Sequence, residues 1–82
     1  MALPVWVWSV PSALRLYQTL GETVRTERIK ASLSQEQLAE KSNLTRNYIG
    51  HVERAEKRIT LETLAKIARA LGLRVSDLTR EL

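Results

Sequence analysis

Two helix starts stand so close together in residues 34–54, SQEQLAEKSNLTRNYIGHVER, that the chain between them has room only for one short helix and a tight turn. Ser34-Gln35-Glu36-Gln37 has the S-x-x-Q form of a capping box, in which the serine hydroxyl and the glutamine side chain satisfy backbone N–H groups reciprocally. The helix that begins there is predicted to run to about Lys41 with Leu38 and Ala39 inward, and Asn43, which tolerates left-handed backbone, is suited to end it. Thr45 caps the next helix, over 46–54, whose inward residues are Ile49 and Val52. Arg46, Asn47, Gly50 and His51 lie around its other faces, a surface that is polar, small and basic.

The flanking sequence supplies three more helices. Leu16, Leu20, Val24 and Arg28 fall four apart and predict a helix over 12–30, with Gly21 a point of interruption. After a loop over 55–59, Thr60 caps a helix with the apolar stripe Leu61, Leu64, Ile67, Ala68 and Leu71, and Gly72 ends it. A short helix over 76–80 turns Leu78 to the core and leaves Leu82 near the end of the chain. Five helices with short connections, and no alternating strand after residue 12, predict an all-α bundle around one core.

The 82 residues suffice for one compact domain but not for a sensing module beside it. Pro4 and Pro11 bracket the apolar run Leu3-Pro4-Val5-Trp6-Val7-Trp8-Ser9-Val10, so residues 1–11 are expected to form an arm and 12–82 the domain. That run is far shorter than the ~20 residues of a membrane span and lacks the basic flank of a signal peptide. A soluble cytoplasmic protein is expected.

The balance of 13 Lys and Arg against 9 Asp and Glu gives a net charge of +4, which suits a polyanionic partner such as nucleic acid. The chain has no cysteine, which excludes disulfides, thiolate zinc sites and cysteine nucleophiles. His51 is the one histidine, so no site can draw two imidazoles from a single chain. No carboxylate pair faces a pocket, and Glu36 and Glu40 beside Lys41 read as solvated surface. The expectation is a binding protein, with no enzymatic activity, metal or cofactor.

Residues 34–54 closely resemble the helix-turn-helix of the phage Cro/repressor-like (XRE-like) regulators, and the likeness extends over about 20–78. It rests on the coincidence of Ala39 at a helix crossing, Asn43 at the turn, and Leu38, Leu44, Ile49 and Val52 at packing positions. The resemblance implies a lambda-repressor-like fold and binding to double-stranded DNA, with the helix over 46–54 in the major groove. It assigns Arg46, Asn47 and His51 to base reading, an arginine being suited to guanine and an asparagine to adenine; contact with phosphate alone is the other reading of Arg46. Gly50 is grouped with them, either as a point of close approach to DNA or as relief of crowding against another helix. Gln35, Arg54, Lys57, Arg58 and Lys41 are expected to hold phosphates, with Ser34 and Thr45 at helix N-termini beside them. The family also pairs an arginine of its first helix with the glutamate closing the recognition helix, and Arg28 and Glu53 occupy those positions. Ser32 and Ala55 stand where the family often has glycine, and Glu27 where it is often apolar.

Regulators of this kind dimerise on two half-sites about one turn of DNA apart, so a homodimer is expected. Its interface is placed on Leu73, Val75, Leu78 and Leu82, with ordinary core the other reading of Leu73 and Leu78, and with Trp6 and Trp8 of the arm pairing with the partner. The arm has two other readings, packing on its own domain and an extension upstream of the natural start. Size and the TRNYIGHVER stretch resemble the restriction-modification controller proteins in particular. An antitoxin or adaptor that grips another protein through the Trp arm is the alternative function.

Overall fold

The computed structural model describes residues 13–82, which form five helices and no strand. They are α1 (Ala13–Lys30), α2 (Gln35–Ser42), α3 (Arg46–Glu53), α4 (Leu61–Ala70) and α5 (Val75–Thr79). The arm expected over 1–11, with Trp6 and Trp8, lies outside the described residues. No helix among those described is long and apolar enough to cross a membrane.

Each of the three predicted caps forms. Ser34 Oγ accepts from Gln37 N at 3.0 Å while Gln37 Oε1 accepts from Ser34 N at 2.8 Å. Thr45 Oγ1 accepts from Tyr48 N at 3.1 Å, and Thr60 Oγ1 from Thr63 N at 3.2 Å. The last helix begins one residue earlier than the sequence suggests, because Asp77 Oδ2 accepts the Arg74 N–H at 2.9 Å.

Four successive helices end in one way. Leu33 N bonds to Arg28 O, Leu44 N to Ala39 O, Glu56 N to His51 O and Leu73 N to Ala68 O, and each encloses a second bond that spans three residues. This double closure is the Schellman motif, which requires a left-handed residue just past the helix. Ser32 (φ 59°), Asn43 (φ 57°), Ala55 (φ 60°) and Gly72 (φ 71°) fill that position. The two departures from glycine thus fall on strained backbone, where a residue with a Cβ loses roughly 1–2 kcal/mol against its preferred conformation. After subtracting the greater freedom glycine has in the unfolded chain, Ser32→Gly and Ala55→Gly are each expected to stabilise by about 0.5–1 kcal/mol. Thermal midpoints a few degrees higher would show it, and an unchanged or lower midpoint for Ala55→Gly would refute the strain.

The core gathers Leu20 and Val24 from α1, Leu38 and Ala39 from α2, Ile49 and Val52 from α3, Leu64, Ile67 and Ala68 from α4, and Leu78 from α5. Fully burying a side chain such as Leu38, Ile49 or Ile67 contributes roughly 1.5–3 kcal/mol. Helix α3 packs on both α1 and α2, α4 on α2 and α5, and α5 on α1. Among the described residues Ser42 is the buried polar one, and its hydroxyl donates to Leu38 O at 2.7 Å.

Gly21 does not interrupt α1, which is continuous through it. It is buried where α1 meets the end of α3: a Cβ there would lie 2.5 Å from Val52 O and 2.7 Å from Glu53 O. Glycine is present because two backbones touch. Leu78 is fully buried, which corrects its assignment to a dimer interface: the short α5 turns it into the core between α4 and α1. Leu73 and Val75 also pack partly on the core, whereas Leu82 remains half-exposed.

Candidate nucleic-acid interface

Helix α3 is seated by Ile49 and Val52, both inside the core. At roughly 100° per residue, positions 46, 47, 50, 51 and 54 fall within an arc of about 140° on its opposite side. Arg46, Asn47 and Arg54 are exposed and His51 is half-exposed, so four polar or cationic side chains share one outward surface.

The inward side is fixed by charge as well as by packing. Arg28 Nε donates to Glu53 Oε2 at 2.6 Å and Arg28 Nη2 to Glu53 Oε1 at 3.0 Å, a two-point fork between α1 and α3. Arg28 Nη1 donates to Leu33 O at 2.8 Å. Side-chain exposure is 12% for Arg28 and 4% for Glu53, so the pair is nearly dry. Gln35 Nε2 adds a third donor to the carboxylate, 3.1 Å from Oε1, and ties α2 to the same point. The arrangement defines where α3 stands relative to both neighbours.

Several expected site residues occupy different positions from those the sequence suggested. Gly50 is buried, because the Arg54 guanidinium lies back across it: a Cβ at Gly50 would be 2.9 Å from Arg54 Nη1. The atoms near that position all belong to the mobile end of the Arg54 side chain, and none to another helix. Gln35 donates one amide hydrogen to Glu53 and is half-exposed. Lys41 lines a groove of about 250 Å³ with Lys66 and Arg69 of α4, apart from the cations that follow α3. Ser34 and Thr45 use their oxygens as caps at the exposed N-termini of α2 and α3.

Arg54, Lys57 and Arg58 are exposed beyond the end of α3. Lys57 folds back so that Nζ stands 5.6 Å from the centre of the Tyr48 ring, a cation–π contact that ties the loop to α3. Glu56 lies among these cations. Its Oε1 is 2.9 Å from His51 Nδ1 and accepts from Arg54 Nε at 3.0 Å, and these two partners, His51 first, hold its carboxyl below the usual carboxylate value. Tyr48 and Glu56 escaped the sequence reading because both contacts depend on how the loop folds back.

Four acidic residues gather elsewhere. Glu22, Glu27, Asp77 and Glu81 line, with Arg80, a groove of about 450 Å³ between α1 and α5. No residue of α3 or of the loop after it lines this groove. Glu27, where an apolar residue was the family habit, sits here in an ion pair with Lys30 at 3.2 Å.

The profile of the helix-turn-helix family HTH_3 matches residues 24–78, more than half of the chain. The chain belongs to the helix-turn-helix family. This helix-turn-helix protein is 52% identical over 61 residues to control protein C.SmaI of Serratia marcescens, a stretch covering 74% of this chain and 73% of that one. It is 41% identical over 59 residues to control protein C.BamHI of Bacillus amyloliquefaciens, covering 71% and 73%. Among solved structures, the restriction-modification controller protein C.AhdI of Aeromonas hydrophila superposes with a TM-score of 0.75 at 37% identity, over 76% of this chain and 94% of that one. The Cro/repressor-like resemblance and the controller subgroup both hold, and the all-helical bundle is the fold of these structural neighbours.

Proposed function

We propose that this helix-turn-helix protein is a sequence-specific regulator of transcription that binds double-stranded DNA as a homodimer on a roughly palindromic operator. The observation that carries the reading is the outward arc of α3: Arg46, Asn47 and His51 project from a helix whose other side is locked by Ile49, Val52 and the Arg28–Glu53 fork. Side chains so placed suit base edges in the major groove, with Arg46 matched to guanine and Asn47 to adenine. Arg54, Lys57 and Arg58 then supply phosphate contacts, which set affinity without choosing sequence. Similarity to restriction-modification controllers supports the same reading. A homodimer spanning half-sites ~34 Å apart would use the C-terminal end of the bundle, where Leu82 is exposed and Leu73 and Val75 are partly so. The setting is the cytoplasm, and the role is one of binding with no catalysis.

Fluorescence anisotropy against DNA from upstream of the protein's own gene and against a scrambled duplex, across a salt series, tests this. The expected result is a preference of roughly 10³-fold or more, with log affinity falling as log salt rises. Arg46→Ala and Asn47→Ala should abolish the preference while leaving the fold intact. Equal binding to both duplexes would place the operator elsewhere in the genome. No binding at low salt would overturn the reading in favour of a protein partner held through Trp6 and Trp8.

A further inference from the structure

His51 is tied to Glu56 twice. The Glu56 N–H donates to His51 O at 2.8 Å, through the turn that left-handed Ala55 makes, and the Glu56 carboxylate meets His51 Nδ1 at 2.9 Å. Arg54 Nε binds the same carboxylate oxygen at 3.0 Å and keeps it from turning away. The His51 side chain stays 43% exposed. Nδ1 is engaged, so the ring nitrogen left for a ligand is Nε2.

An ionised carboxylate only accepts hydrogen bonds, and His51 and Arg54 both favour the ionised form of Glu56. The hydrogen of a neutral His51 ring therefore belongs on Nδ1, and Nε2 carries a bare lone pair. Free imidazoles in water prefer the reverse tautomer, whose Nε2–H donates. One hydrogen bond thus decides whether the outward nitrogen gives or takes a hydrogen.

We propose that Glu56 is a specificity-determining residue that acts through His51, making its outward nitrogen an acceptor that selects adenine or cytosine. In the major groove those two bases present amino hydrogens, at adenine N6 and cytosine N4, whereas guanine O6 and N7 and thymine O4 are acceptors. A lone pair on Nε2 bonds to the first two and is repelled by the others. This rests on the assignment of α3 to DNA reading, but its first test does not require DNA.

Because His51 is the one histidine in the chain, long-range ¹H–¹⁵N spectra of the uniformly labelled full-length protein report its tautomer directly. At roughly pH 8.5, where an ordinary imidazole is neutral, the expected pattern is a protonated Nδ1 and a bare Nε2. Glu56→Ala should move the ring toward the Nε2–H form, and Glu56→Gln, whose amide oxygen still accepts, should hold the original pattern. Glu56 is solvent-exposed, so both variants should keep the helical circular dichroism of the parent. A hydrogen on Nε2 in the parent, or a pattern indifferent to Glu56→Ala, overturns the proposal.

The second arm selects from a randomised duplex library at the same pH. The parent should prefer adenine or cytosine by roughly fivefold or more at one position per half-site, His51→Ala should lose that preference, and Glu56→Ala should admit guanine there. Guanine or thymine at the His51-dependent position overturns the proposal alone. No enrichment by the parent protein overturns the DNA-reading assignment and this proposal with it.

Discussion

Replacing Arg28 with methionine is expected to destabilise the protein by roughly 3–5 kcal/mol, and in a domain of this size to lower the thermal midpoint by roughly 12 °C or more. Glu53 is 4% exposed, so removing the guanidinium leaves an ionised carboxylate facing only Gln35 in a nearly dry site. The methionine fills much of the volume, which isolates the electrostatic penalty from a cavity. Replacing both partners, Arg28→Met with Glu53→Leu, should recover much of the loss, because an apolar pair has no buried charge to strand. Urea denaturation of the two variants provides the measurement. A loss below about 1 kcal/mol for Arg28→Met would mean that the fork behaves as an ordinary surface ion pair.

The second large effect is expected at Gly21, and its sign is informative. In an exposed helix interior, alanine is better than glycine by about 0.8–1.0 kcal/mol. Here the added methyl would fall 2.5 Å from one carbonyl oxygen and 2.7 Å from the next, both on the backbone of α3, where no side chain can swing aside. Overpacking of a tight core typically costs about 1–3 kcal/mol, and contact with fixed backbone belongs at or beyond the upper end of that range. Gly21→Ala should therefore destabilise by about 2 kcal/mol or more net and shift α3 relative to α1. Lower stability by denaturation, together with weakened operator binding at temperatures where the variant is still folded, is the expected pair of results. Stabilisation would mean that the two helices can separate freely.

What could be read from the sequence was what depends on neighbours in the chain. Ser34, Thr45 and Thr60 act over three residues, and all three cap as expected. Asn43 ends α2 for the left-handed geometry it tolerates. The periodic stripes of α1 and α4 reach the core through Leu20, Val24, Leu64 and Ile67. What escaped depended on how distant pieces meet. Gly21 reads as a break in a helix until the α3 carbonyls are seen beside it, and the Arg54 guanidinium lying over Gly50 is likewise invisible in the sequence. Gln35 stands at a helix N-terminus that invites a phosphate, yet its side chain turns to Glu53, eighteen residues away. The last helix has five residues, too few for a periodic pattern, so nothing in the sequence distinguished an interface role for Leu78 from a core one.

The acidic groove between α1 and α5 has a kinetic consequence. With Glu22, Glu27, Asp77 and Glu81 gathered there and Arg46, Arg54, Lys57 and Arg58 on α3 and its following loop, the molecule carries a permanent electric moment. In the field of a polyanion that moment exerts a torque before any atoms touch, turning the cationic surface forward and the acidic groove away from it. A larger share of diffusional encounters then arrives in a usable orientation. Neutralising the distant carboxylates would accordingly reduce this orientational bias while increasing net attraction, so salt would weaken their opposing effects on the rate of arrival much more than it alters the lifetime of the bound state.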